Sequence, residues 1–298
     1  MTNASDPAVR RSGIGGSDSA AALGVSRFKT QYRLWAEKRG EVEDDFEVTE
    51  RMLWGTRIEH LVRQEYAERT GRTVRLPIET LRHPVHTFMI AHPDGVTEDG
   101  RLYEGKCAGS SSGWGPDGSD QIPDDYMIQV QHYLIVLSLP VADVAVLIGG
   151  NEYRQYEIAA DAELQTMLID GETEFWRRVQ ENDPPSMATP DDVKIRYGRS
   201  SRSGAVEATE ETLAACEHLF ALKAGIKEAQ AESDTHAATI QKALGDNDTL
   251  VHEGQVLATW KATSPTQRFD ADAFRNAHPK IYKEFLKPAT SYRRLLLK

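Results

Sequence analysis

Up to Gly71 the apolar positions of this chain recur at helical spacing, and beyond it they shift towards alternation. The first stretch predicts three helices. Ser17-Asp18 caps a short one that Gly24 stops, Thr30 caps one over residues 31–39 that ends at Gly40, and a longer one runs over 50–69 to Gly71. The acidic residues 41–49 predict an exposed connection. The alternating stretch predicts one strand or a pair interrupted at Pro77 over 73–81, a strand at 87–91 leading into the turn His92-Pro93-Asp94-Gly95, and a strand at 101–108. Gly, Ser, Asp and Pro crowd residues 109–125 and predict a loop. A helix then reaches Leu139. A hairpin of strands at 142–148 and 153–158 follows, turning at Gly149-Gly150-Asn151, and a helix over 160–180.

Prolines and glycines fill 182–204, which predicts a linker over 184–204 between a first domain, 1–183, and an extension, 205–298. Residues 207–244 predict two antiparallel helices with a bend near Ser233. Short strands at 250–252 and 255–261 and a helix at 270–276 complete a tail. The predicted fold class is α/β, with a mixed central sheet flanked by helices, a C-terminal helical extension and a small basic α+β tail.

Length and charge sharpen this outline. At 298 residues there is room for one large domain or two ordinary ones, and 40% hydrophobic with 27% charged residues supports a packed core. The net charge of -11 argues against sequence-blind coating of nucleic acid or of an anionic membrane. That acidity is uneven. Residues 1–250 carry 26 basic and 42 acidic side chains, whereas residues 251–298 carry 9 and 4, a balance of +5. Cys107 and Cys216 are too few for a disulfide framework or a four-cysteine zinc or iron–sulfur site, and they suit a reducing cytoplasm. No apolar run of signal-peptide length opens the chain and none is long enough to span a membrane, so a cytoplasmic protein without a membrane partner is expected.

The segment richest in chemistry is Pro93-Asp94 followed by Glu104-Gly105-Lys106. Glu104 and Lys106 lie two apart in one predicted strand and share a face. A neighbouring strand can bring Asp94 beside Glu104, and paired carboxylates suit Mg²⁺ or Mn²⁺. Lys106 would add a positive charge beside an attacked phosphate or orient the attacking water. Taken alone, Asp94 is equally a turn residue, and Glu104 with Lys106 a solvated strand face. Glu59 falls on or beside the inward face of its predicted helix, marked by Ile58, Leu61 and Val62, where a carboxylate needs a partner. A metal site and an ion pair with Arg63 or Arg57 both remain open. Gln129 and His132 are polar positions in an apolar helix; Gln129 reads either as a partner of Lys106 or a phosphate, or as a satisfied core amide. The run Arg10 to Asp18, rich in glycine, permits close backbone approach ahead of a helix N-terminus. It lacks the G-K-[ST] of a nucleotide-binding loop and is otherwise a tight turn.

These pieces stand in an order that resembles the YqaJ-type phage recombinase and lambda exonuclease family of the PD-(D/E)XK nuclease superfamily. The order is Gly13-Ile14-Gly15-Gly16-Ser17-Asp18, Leu34-Trp35 with Lys38-Arg39-Gly40, Trp54-Gly55-Thr56 with Glu59, Pro93-Asp94-Gly95, Glu104-Gly105-Lys106, and Ile122-Pro123 through Tyr126 to Gln129-Val130-Gln131-His132-Tyr133-Leu134. The resemblance covers about residues 9–183. It implies a restriction-endonuclease-like core and a 5′–3′ exonuclease on linear double-stranded DNA. That activity leaves 3′ single strands for homologous recombination with a single-strand annealing protein. It implies one or two Mg²⁺ ions per site, replaceable by Mn²⁺, held by Asp94, Glu104, the Gly105 carbonyl and Glu59. Lys106 would orient or activate water, Gln129 would support it, and Arg10, Ser17 and the neighbouring Arg11 would hold a 5′ phosphate. A homo-oligomer, a ring-like trimer by resemblance, is implied as well. The chain departs from many relatives at Cys107, where threonine is common, and at Gly105, where a larger residue is frequent. Residues 255–292 resemble tails of some phage nucleases. A structure-specific endonuclease on the same core and a non-catalytic DNA-binding or assembly protein are the alternatives.

Overall fold

The computed structural model describes residues 6–42, 49–77, 79–198, 204–264, 268–287 and 293–297. Most of the acidic connection expected at 41–49, and residues 199–203 of the expected linker, lie outside the described residues. The chain divides into two units, residues 1–198 and 199–298.

In chain order the first unit holds α1 (Pro7–Arg11), β1 (Ile14–Gly15), α2 (Gly16–Ala22), α3 (Gln31–Lys38) and α4 (Glu50–Thr70). The short strands β2 (Val74–Arg75), β3 (Leu81–Arg82), β4 (Met89–Ala91) and β5 (Gly95–Thr97) follow. Then come β6 (Leu102–Ala108), α5 (Asp124–Leu137), β7 (Val141–Ile148), β8 (Glu152–Ala159), α6 (Ala162–Glu181) and α7 (Pro190–Tyr197). The central sheet is mixed, in the order β2-β5-β6-β7-β8. Strands β6 and β7 run parallel, so the chain needs a crossover between them, and α5 supplies it. The two faces separate cleanly along β7. Ala142, Val144, Val146 and Ile148 pack with Val130 and Leu134 of α5, while Ala145 packs with Val62 and Tyr66 of α4 on the opposite face. A second sheet, β1-β4-β3, and a cluster centred on Tyr32, Leu34, Trp35 and Phe175 complete the core.

Several local expectations change. The stretch 73–81 forms two strands in different sheets, and the partner of β6 is β5, not the strand at 87–91. The short helix begins at Gly16 with Gly15 as its cap, so Ser17-Asp18 does not cap it. Gly16 is required there because a Cβ would lie 2.6 Å from the Tyr133 ring of α5. Leu61 is 52% exposed, so the inward face of α4 is Val62 and Tyr66. Residues 190–197, within the expected linker, form α7. Pro190 sits in its first turn, where no N–H is needed, and Thr189 and Asp192 close a capping box. Asp192 also accepts a hydrogen bond from Thr30 Oγ1 (2.6 Å), tying α7 to α3.

The second unit holds α8 (Glu210–Leu244), the antiparallel hairpin of β9 (Thr249–His252) and β10 (Gln255–Thr259), then α9 (Ala271–Ala277) and α10 (Pro279–Glu284). The expected bend near Ser233 is absent, and α8 is one helix of 35 residues. Its polar residues bond along the helix instead of breaking it. Gln230 donates to Asp234 (2.8 Å), and the hydroxyls of Thr235 and Thr239 donate to carbonyls one turn back.

Candidate active site

The site is built on the β5–β6 pair. Gly95 lies opposite Tyr103 and Val96 opposite Leu102, so the chain entering β5 brings Asp94 beside Glu104. The Gly105 N–H donates to Asp94 Oδ2 at 2.9 Å, and the Asp94 N–H to Glu104 Oε2 at 3.5 Å. Along β6, Glu104 and Lys106 share the face covered by α5, and Lys106 Nζ donates to Glu104 Oε1 at 2.7 Å. From α5, Gln129 closes the ring. Its amide donates to Glu104 Oε1 (2.9 Å) and its oxygen accepts from Lys106 (3.1 Å). The residue that reads as either core amide or site partner is thus bonded to both charged groups.

Burial governs the electrostatics. Glu104 is 2% exposed, and burial, followed by the nearby Asp94 charge, pushes its carboxyl up to about 7 against the pull of Lys106. Burial also raises Asp94. Burial alone would lower Lys106, but Glu104 and Asp94 outweigh it and raise the ammonium above its ordinary value. Lys106 is therefore a cation at neutral pH. Its ammonium donates to Glu104 and Gln129 and can donate to a water or a phosphate oxygen. Tyr126, one turn before Gln129, places its ring 4.8 Å from Lys106 Nζ.

These groups line a cleft of about 350 Å³ together with Ser17, Glu59, His92, Cys107 and Tyr133. Glu59 keeps one of the partners open to it in the sequence, Arg63, at 3.4 Å, while burial and Asp94 raise its carboxyl. Arg10 and Arg11 are not in the cleft. They line a neighbouring cavity of about 200 Å³ with Asp18, Glu37 and Lys38. There Lys38 pairs with Asp18 at 2.6 Å and donates to the Arg10 carbonyl at 2.7 Å, so Lys38 of the Leu34-to-Gly40 segment locks α1 and α2 onto α3. His132 is a core group. Its ring nitrogens contact Glu172 and the Ile90 carbonyl at 2.9 Å each, and Ser19 donates to the same Glu172 oxygen.

Tyr126, Tyr133 and His92 were not singled out from the sequence as site residues. Helical spacing from Gln129 and adjacency to Pro93 are the signals that reach them. The small residue at Gly105 has a cause on the opposite face, since a Cβ there would meet the Tyr103 hydroxyl at 3.0 Å.

Among the described residues, no group of three or more His, Cys, Asp or Glu side chains is placed to hold a metal ion, and Glu59 shares the cleft with Asp94 and Glu104 while bonded to Arg63. Two carboxylates that repel each other in a buried, open-mouthed cleft do fit a hard cation that keeps most of its water. Mg²⁺ usually takes one or two protein carboxylates and completes its shell with water and phosphate oxygens.

Residues 7–140 match the YqaJ-like viral recombinase domain. Over 299 aligned residues the chain is 31% identical to the uncharacterized protein YqaJ of Bacillus subtilis (strain 168), covering 97% of this chain and 92% of that one. Among solved structures it is similar to an alkaline exonuclease (LHK-Exo) of Laribacter hongkongensis, at 19% identity and a TM-score of 0.49 over 59% of this chain and 91% of that one. It is also similar to a phage related exonuclease of Haemophilus somnus 129PT, at 12% identity and a TM-score of 0.40 over 59% of this chain and 99% of that one. Among the described residues no helix is long and apolar enough to cross a membrane.

Proposed function

This chain belongs to the YqaJ-like viral recombinase family, and from that premise we propose that it is a Mg²⁺-dependent 5′–3′ exonuclease acting on linear double-stranded DNA. The observation that carries the reading is the bonded set Asp94, Glu104, Lys106 and Gln129 in one cleft. A pure binding surface has no use for two buried carboxylates beside a buried ammonium, whereas phosphodiester hydrolysis uses both charges.

In this reading Asp94, Glu104 and the Gly105 carbonyl hold the ion, with Mn²⁺ able to replace Mg²⁺ and Glu59 supporting a second ion or its water. The ion would polarise the phosphate and lower the pKa of water in the cleft. The protein's own groups do the positioning. Lys106, held protonated, donates to the attacking water or the phosphate oxygen, and Gln129 fixes the lysine through its amide oxygen. Ser17, exposed at the start of α2 and on the rim of the same cleft, fits a 5′ phosphate. Arg10 and Arg11, in the adjoining cavity, would supply charge from behind it. The products would be 3′ single strands for an annealing protein, in the cytoplasm of a host cell. A ring-like homo-oligomer would retain the duplex.

The test is digestion of linear and covalently closed circular duplexes of the same sequence, with Mg²⁺ and with chelator. The expected outcome is loss of the linear form alone, and only with the ion. Cutting of the closed circle would replace the exonuclease by an endonuclease on the same core.

A further inference from the structure

The second unit holds its longest helix almost wholly in solvent. Of the 35 residues of α8, only Leu244 is buried. A helix in water owes most of its stability to the packing of an apolar face, and α8 has such a face left exposed. Beyond Phe220 and its predecessors, the Leu and Ile residues of α8 form one stripe with Leu219: Leu222, Ile226, Ile240 and Leu244. At about 100° per residue these five fall within roughly 60° of the helix circumference, and no Lys, Asp or Glu of α8 shares that sector. Leu222 is 52% exposed, Ile226 69% and Ile240 41%. Ser233 and Ala237 lie on the same stripe. Leu213 and Phe220 lie more than about a third of a turn from its centre and have no apolar successor larger than alanine on their own side.

The spacing of the stripe selects its occupant. From Leu219 through Leu222, Ile226, Ser233 and Ala237 to Ile240 the steps are three, four, seven, four and three residues, the same in both directions. A patch that pairs with its own copy across a two-fold axis must be self-complementary in this sense. With the axis between Ala229 and Gln230, an antiparallel second copy sets Leu219 against Ile240, Leu222 against Ala237 and Ile226 against Ser233. The two small residues thus each meet a large one, as close packing requires. Parallel pairing would set Ser233 on Ser233 and Ala237 on Ala237 and leave a hollow. The charges favour the same arrangement. Antiparallel pairing brings Glu217 level with Lys242 of the second copy and Lys227 level with its Glu232, and it opposes the two macrodipoles, whereas parallel pairing brings each charge beside its own kind. An anionic membrane is a poor occupant, because α8 carries six acidic residues against three lysines. We propose that α8 is a dimerisation element, through which two copies of this chain pair antiparallel along this stripe. The contact belongs to the second unit and is independent of the nuclease reading and of the ring proposed with it.

The experiment is sedimentation equilibrium of the full chain beside a variant that combines Leu222→Glu with Ile226→Glu. The native assembly should have twice the mass of the variant assembly, and that ratio holds even where the nuclease units also join in a ring. Glutamate is a good helix former, and circular dichroism checks that α8 persists in the variant. Disulfide cross-linking then tests the register without any added charge, and it decides the matter if the double variant loses its helix. Copies with Ile226→Cys and copies with Ser233→Cys, both also carrying Cys216→Ser, are mixed and oxidised. Covalent dimer should form in the mixture and not with either variant alone, since antiparallel pairing leaves like positions seven residues, about 10 Å, apart along the helix. Equal masses for the native chain and a folded double variant would overturn the proposal. So would cross-linking of either cysteine variant to itself as readily as to the other, which is the outcome of parallel pairing, or no cross-link in the mixture. A chain that pairs in this way but digests no duplex would sink the exonuclease reading and leave the α8 contact standing.

Discussion

Trp35 and Trp260 meet opposite surroundings. Trp35 is fully buried, donates its indole N–H to the Arg178 carbonyl at 3.1 Å and carries the Arg39 guanidinium across its ring. Trp260 stands half in solvent beside an unpaired lysine. The contrast extends to the charges. In the first unit, cations are largely matched within the fold. Arg101 grips the buried Asp143 through two nitrogens, Arg154 pairs with Glu152, and Lys38 is locked to Asp18. In the second unit the lysines after residue 260 have no such partner among the described residues. Residues 1–198 carry 21 basic and 33 acidic side chains, a balance of -12, against 14 and 13 in residues 199–298, so the net charge of -11 belongs to the unit that holds the carboxylate cleft.

The largest expected effect breaks the first unit's chemistry and spares its fold. Lys106→Ala or Asp94→Ala should lower duplex hydrolysis by at least about 10²–10³-fold, with a circular dichroism spectrum like that of the native chain. Digestion at the native rate would remove these residues from the site. The next effect sets the two tryptophans directly against each other. Trp35→Ala should cost about 3–5 kcal/mol in urea unfolding through the cavity it leaves, whereas Trp260→Ala should stay within about 0.5 kcal/mol. Equal losses would erase the distinction between a cored and an uncored unit.

The third expectation concerns pH. Burial and Asp94 hold the Glu104 carboxyl near 7, so a proton and a divalent ion compete for the same group. Affinity for Mg²⁺, measured by calorimetry, should rise as pH increases towards 7, by up to about tenfold per unit, and level off above it. The sign for stability is opposite. Because the folded carboxyl sits above its ordinary 4.5, its contribution to metal-free stability is fully present below 4.5 and is lost as pH rises through 7. Added Mg²⁺ should restore that loss. Affinity independent of pH would place the ion elsewhere. The smallest expected effect is at Ser17. Ser17→Ala should narrow the difference in digestion rate between 5′-phosphorylated and dephosphorylated ends by a few-fold, and equal native rates on both ends would remove the phosphate role.

Legibility in the sequence followed the length of the element. The runs that became β6, β7, β8, α5 and α6 were readable from periodicity because each buries a whole face. The strands of two or three residues were not, because so short a segment carries no period; their pairing is set by neighbours such as the Phe88 carbonyl bonded to Ile14. In α8, the bend expected near Ser233 does not form, and Asp234 and Thr235 bond to the preceding turn instead. At the site, the shared face of Glu104 and Lys106 follows from strand geometry alone. That Gln129 bonds to both depended on the crossover through α5, which periodicity does not reveal. The separation of Arg10 and Arg11 from Ser17 was equally hidden, since neighbours in a short turn can face different cavities.

The central claim is that the cleft on the first unit removes nucleotides from 5′ ends. It is tested most directly with one linear duplex labelled at either its 5′ or its 3′ ends, incubated with Mg²⁺ and the native chain. The 5′ label should be released as mononucleotide from the first turnovers while the 3′ label stays on a long strand, and Lys106→Ala should release neither. Early release of the 3′ label, or equal release by the Lys106 variant, would contradict it.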